Sequence, residues 1–126
     1  MTNIVVDSDI IIDYLRTGEG QLPRLFTAQR DGKCELYLSA VTVLELFAGK
    51  SSKTVEEKLH ELIEGFTVIP VGVDLAIAAG QIKRDNRVDS ALADLIIGAT
   101  SVSAGAKLAT RNKKHFRGIP KIQFAV

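Results

Sequence analysis

The sequence predicts one α/β domain, built on a mainly parallel central sheet of about five strands flanked by helices. Three observations carry this expectation. Short runs of β-branched and aliphatic residues alternate with longer amphipathic stretches along the whole chain, the order that gives parallel β-α-β units. The 126 residues are 46% hydrophobic and 25% charged, enough for one core without a disulfide or structural zinc. One late helix is apolar nearly all round, as a helix buried in the middle of a layered domain is. Residues 1–126 read as a single domain, with no internal repeat, low-complexity tract or linker.

Residues 3–6 form a short apolar run that fits a buried strand. It ends at Asp7. Ile10, Ile11, Ile12, Tyr14 and Leu15 then fit a helix starting near Ser8 or Asp9 and stopped by Gly18. A turn over residues 20–23 leads to a second helix, apolar at Leu22, Leu25, Phe26 and Ala28, which stops at Asp31-Gly32. Residues 35–38 are the second strand. Residues 39–42 turn into a third helix, with Val43, Leu44, Leu46 and Phe47 as its apolar positions. Residues 53–64 are amphipathic through Val55, Leu59, Leu62 and Ile63, and Gly65 ends them. The third strand is residues 66–70, and Asp74 is expected to cap an alanine-rich helix reaching about Asn86. The apolar helix covers residues 90–103 and ends at Ala104-Gly105. Residues 107–110 and 121–124 supply the fourth and fifth strands.

Composition excludes several classes. Cys34 is the only cysteine, so no intrachain disulfide forms. With two histidines, His60 and His115, a zinc-finger ligand set is also missing. No basic segment followed by a long apolar core opens the chain, and no run approaches the ~18 apolar residues of a membrane span. A cytoplasmic location is expected. The net charge of +1 says little, but its distribution says more. All 15 acids lie within residues 1–94, whereas residues 95–126 hold only cations: Lys107, Arg111, Lys113, Lys114, Arg117 and Lys121. Such asymmetry fits an anionic partner, but taken alone it fits a solvated basic face better.

Three acids stand where charge is costly. Asp7 follows a buried strand, Glu45 lies between Leu44 and Leu46, and Asp94 is the only charge in the apolar helix. An isolated carboxylate in such a place must be paired, neutralised or bound to a metal. Gathered at one sheet edge, the three would form a hard oxygen site suited to Mg²⁺ or Mn²⁺. The alternatives are that Asp7 only caps the first helix, and that Glu45 and Asp94 are solvated or paired with the basic C-terminal segment. Ser8 and Asp9 are expected to take the capping role and leave Asp7 for the ion.

Four segments together resemble a family. Val6-Asp7-Ser8-Asp9-Ile10-Ile11-Ile12-Asp13-Tyr14-Leu15 resembles the opening of a PIN domain. Ser39-Ala40-Val41-Thr42-Val43-Leu44-Glu45-Leu46-Phe47-Ala48-Gly49 is similar to its second block, and residues 89–101, with Ala93-Asp94-Leu95-Ile96-Ile97-Gly98-Ala99-Thr100, to its third. Leu108-Ala109-Thr110-Arg111-Asn112-Lys113-Lys114-His115-Phe116 is similar to its fourth. Each block alone is weakly specific; four in order, over nearly the whole chain, are strongly so. The size and short connections resemble the VapC-type toxins of bacterial and archaeal toxin–antitoxin pairs.

The resemblance implies a single PIN-like domain in which Asp7, Asp94 and Glu45 hold Mg²⁺ or Mn²⁺. Asn112 falls at the fourth catalytic position, often Asp and in many VapC-type members Asn, and His115 stands where an acid often precedes the Phe. Thr110 suits either a water contact or a turn. Arg111, Lys113, Lys114 and Arg117 would lie near the rim and meet RNA. The implied activity is metal-dependent endonucleolytic cleavage of RNA, leaving a 5′-phosphate and a 3′-hydroxyl. The implied partners are a small VapB-type antitoxin, whose tail crosses the acidic site, and a second copy in a homodimer. Three rivals stand beside this reading. Asp7-Ser8-Asp9 could open a haloacid dehalogenase-like phosphatase with Asp7 as nucleophile, although Ile10-Ile11 replaces the Gly-Thr that normally follows. A receiver-like signalling domain would need an Asp ending its third strand, and Asp74 comes too late. The third rival is a catalytically inactive PIN-like module that binds RNA or protein.

Overall fold

The computed structural model describes residues 1–50 and 53–125. Strand β1 (Thr2–Val6) leads into helices α1 (Ser8–Thr17) and α2 (Leu22–Arg30), then β2 (Cys34–Ser39) into α3 (Ala40–Ala48) and α4 (Glu56–Ile63). Strand β3 (Thr67–Ile69), α5 (Val73–Asn86), α6 (Leu92–Ser103) and β4 (Lys107–Ala109) complete the order, with a 3₁₀ turn at Lys113–His115. The strands are all parallel and run β3-β2-β1-β4 across the sheet.

Alternation along β1 divides the core in two. Ile4 and Val6 join Ile10, Leu36, Leu38 and Leu46 in one cluster, packed with helices α1 to α4. Val5, one residue out of phase, joins Leu95, Ile97, Leu108, Phe116 and Ile119 on the other face. Burial on both faces is why β1 reads as an unbroken apolar run. From β1 the chain moves outward to β2 and β3, then returns to place β4 on the opposite side. The order reverses between β1 and β4, and open α/β sheets bind ligands at the carboxyl ends of strands at such a reversal. Asp7 follows β1 there, and Thr110 follows β4.

Several expectations are corrected. The sheet has four strands. Residues 121–124 make one isolated bridge, Leu108 to Phe124, and the left-handed Lys121 (φ 65°) removes the first of them from the extended segment. Asp74 is not a cap: α5 begins at Val73 after Gly72, and Asp74 lies in the first turn, where its charge favours the helix dipole. Helix α4 begins at Glu56 rather than residue 53, and α6 at Leu92 rather than 90. Leu92 is itself exposed, and the buried residues of α6 all lie between Leu95 and Ser101. Helix α3 already runs at Ala40, with Ser39 Oγ accepting the Val41 N–H at 3.2 Å. Gly18 (φ 71°) closes α1 in the left-handed conformation that glycine adopts at least cost. Among the described residues, no helix is long and apolar enough to cross a membrane.

Candidate metal centre

Asp7 continues the sheet by one hydrogen bond, its N–H donating to Ala109 O at 2.9 Å. It is also the N-cap of α1: its Oδ1 accepts the Ser8 N–H at 2.8 Å. Helix α1 starts at Ser8 itself, so the cap falls on residue 7, and the division of labour expected for Asp7, Ser8 and Asp9 is wrong. The other oxygen, Oδ2, accepts the Thr110 hydroxyl at 2.8 Å, joining the ends of β1 and β4. The side chain is almost fully buried, at 6% exposure. Burial first, then the charge of Asp9, pushes Asp7 up to about 6, against the hydrogen bonds from Thr110 and Ser8.

Asp9 lies in the first turn of α1 and reaches across to the segment after β4. Its Oδ2 accepts the Arg111 N–H at 3.0 Å and the Asn112 side-chain amide at 3.1 Å, with the Thr110 hydroxyl farther off at 3.4 Å. Thr110 Oγ in turn accepts the Asn112 N–H at 3.0 Å, which fixes the turn. Asn112 therefore touches the acidic group through Asp9. Sequence reading missed Asp9 as a site residue. The available signal was an acid two positions after Asp7, on the same helix start.

Glu45 is half-buried on α3, and Asp94 is half-buried in the first turn of α6. Burial raises both carboxyls above their usual range; the Ser8 side chain opposes this at Glu45, and His115 opposes it at Asp94. Asp9 adds repulsion to Asp7, Glu45 and Asp94 alike, so α1, α3 and α6 bring four carboxylates together. Glu45 Oε1 and Asp9 Oδ1 are buried without a hydrogen-bond partner, a costly state for a carboxylate oxygen. Among the described residues, no three carboxylates are already drawn to the spacing of one ion's ligands, as four like charges repel. All-oxygen donors, unpartnered buried oxygens and raised carboxyls fit a hard divalent cation.

The basic segment only partly offsets this cluster: the Arg111 charge acts on Asp9 and His115 acts on Asp94. No Lys or Arg among the described residues forms an ion pair with Asp7, Asp9, Glu45 or Asp94. The Arg111 guanidinium pairs with Asp13 at 2.9 Å instead. Lys113 lies over the Phe124 ring, 5.7 Å from its centroid. His115 Nδ1 stands 3.6 Å from Asp94 Oδ2, and the Ser90 hydroxyl holds the His115 carbonyl at 2.7 Å. Beside Asp94 a hollow of about 540 Å³ opens, lined in part by Arg87, Ser90, Lys114 and His115. Arg117 is exposed.

The family model described as "PIN domain" matches residues 4–122, which include all four acids. The chain belongs to the PIN domain family. Ribonuclease VapC10 of Mycobacterium tuberculosis is 34% identical over 119 residues, spanning 90% of this chain and 85% of that protein. Among solved structures, the toxin-antitoxin complex from Klebsiella pneumoniae is similar at 25% identity and a TM-score of 0.71, over 94% of each chain. The DNA-bound VapBC from Salmonella typhimurium has the same fold, with a TM-score of 0.83 at 17% identity, over 99% of this chain and 98% of that one. PIN membership sets aside the phosphatase and receiver readings, which require other folds. The PIN fold brings the three acids of the sequence expectation to one edge and adds a fourth, Asp9.

Proposed function

We propose that this PIN domain is a metal-dependent endoribonuclease and the toxin of a VapBC-type toxin–antitoxin pair. The observation that carries the reading is the group of mutually repelling carboxylates at the switch point, Asp7 buried and Asp9, Glu45 and Asp94 half-buried, two of them with unpartnered buried oxygens. Its likeness to Ribonuclease VapC10 and to a toxin-antitoxin complex supports RNA as substrate and an antitoxin as partner.

Asp7, Glu45 and Asp94 would hold Mg²⁺ or Mn²⁺. When bound, such an ion would supply charge neutralisation at the phosphate and a lowered pKa for a water molecule. The chain's own work is positional. Thr110 fixes Asp7 through Oδ2, and Asn112 fixes the turn beside it. Lys113, Lys114 and Arg117 raise the local concentration of a polyanion, whereas Arg111 is already engaged by Asp13. The hollow beside Asp94 gives the RNA strand a route past the carboxylates, with Arg87 and Lys114 along it. Products carry a 5′-phosphate and a 3′-hydroxyl. A homodimer, a VapB-type antitoxin lying across the acidic site and a cytoplasmic location complete the proposal.

The test incubates purified protein with structured RNAs in Mg²⁺ or Mn²⁺, in chelator, and after the metal is returned. Cleavage is expected only with metal, with end-group analysis giving 5′-phosphates. Cleavage that persists in chelator sinks the mechanism. RNA binding without cleavage under every metal condition favours the inactive module.

A further inference from the structure

We propose that Asp9, and not Asn112, supplies the fourth carboxylate of this metal centre, through its Oδ1. The inference rests on the metal-dependent reading above and adds a ligand to it. Capping does not account for Asp9, because Asp7 caps α1. Its two oxygens have separate fates. Oδ2 is anchored by donors from Arg111 and Asn112 at 3.0 and 3.1 Å. Oδ1, fixed by that anchoring, is buried and makes no well-formed hydrogen bond; the Ile10 N–H near this carboxyl donates to Asp7 O instead. A carboxylate used only to tie down a loop would gain by turning both oxygens to donors or water. Asp9 is also the common neighbour of the other acids, adding repulsion to Asp7, Glu45 and Asp94. An ion held by any of them lies within the field of the fourth.

The hydrogen bond from Asn112 gives the arrangement its logic. An acid at both positions 9 and 112 would set two carboxylates face to face across 3.1 Å and add a fifth negative charge. An acid at one and an amide at the other keeps the bond and one ligand. Asn112 is thus a positioning residue: its amide orients Asp9.

The test is calorimetric titration of the full chain with Mn²⁺, with melting in chelator as the control for folding. Asp9→Asn keeps an acceptor for the Arg111 N–H and removes a charge that burial disfavours, so its metal-free melting is expected at or above that of the wild type. Its Mn²⁺ affinity is expected to fall by more than about 10-fold, at least the loss typical of an outer-shell partner. Adding Asn112→Asp returns the acid to the other end of the hydrogen bond and recovers most of the affinity. If Asp9→Asn does not fold, Asp9→Ser carries the same measurement. A folded Asp9 variant within about twofold of wild type, where Asp7→Asn is weakened, overturns this proposal alone. A double variant as weak as the single one overturns the relocation of the acid from 112 to 9. A wild type that binds no Mn²⁺ overturns this proposal together with the metal-dependent function.

Discussion

Asp7→Asn is expected to abolish RNA cleavage and, in chelator at pH 7.5, to make the protein more stable. The two effects have one cause. Asp7 is an acid whose value in the fold, about 6, lies above its ordinary 3.8, so the fold disfavours its charged form. The stability associated with its protonation is fully present below about pH 4 and is lost as pH rises through about 6. A gap of about two pH units corresponds to about 3 kcal/mol. Asn lacks the charge but cannot accept both the Ser8 and Thr110 bonds as well as a carboxylate does, so a gain of about 1–3 kcal/mol is expected. For a domain of this size that is a rise of roughly 3–10 °C in melting temperature. Metal reverses the sign: a ligand that binds only the folded state stabilises the wild type and leaves the variant unmoved. Cleavage should fall by more than the ~100-fold typical of losing an outer-shell partner. Thermal melts at pH 5 and 7.5, with chelator and with Mn²⁺, check the account. A variant less stable than wild type in chelator at pH 7.5 contradicts it.

Phe116→Ala is expected to be the most destabilising single change near the site, by about 3–5 kcal/mol. The Phe116 ring is fully buried among Val88, Leu95, Ile97 and Ile119. It packs so closely on α6 that a Cβ at Gly98 would touch the ring and collide with Ile119. The ring also anchors the segment carrying Lys113, Lys114 and Arg117. Its loss should therefore weaken RNA binding as well as the fold, while Mn²⁺ affinity, set by side chains on α1, α3 and α6, changes less. Denaturant unfolding measures the first effect, and RNA retention at fixed salt the second. A loss below about 1 kcal/mol, far under the usual cost of emptying such a site, contradicts the packing described.

The contrast between these residues shows what the sequence could reveal. Local pattern located β1, the start of α1 and the three acids on separate elements, because burial on both faces leaves an apolar run and a lone charge stands out within it. It placed the cap one or two residues late, because Asp7, Ser8 and Asp9 in succession offer three acceptors and only backbone geometry selects one. The fifth strand failed for a related reason: the left-handed Lys121 is not a residue whose type announces that conformation. Asp9 was hidden by distance along the chain. Its partners lie more than a hundred positions away, and no periodicity carries that information. The role of Arg111 was equally non-local, since its charge reads as free until Asp13, 98 positions away, is seen beside it.

The carboxylate edge is expected to hold the ion on which RNA cleavage depends. The most direct test measures single-turnover cleavage of a structured RNA across a Mn²⁺ titration, with metal occupancy of the same protein measured calorimetrically. The rate is expected to rise with occupancy and to reach half its maximum at the same metal concentration. Full-rate cleavage in chelator, or a rate unrelated to occupancy, would contradict it.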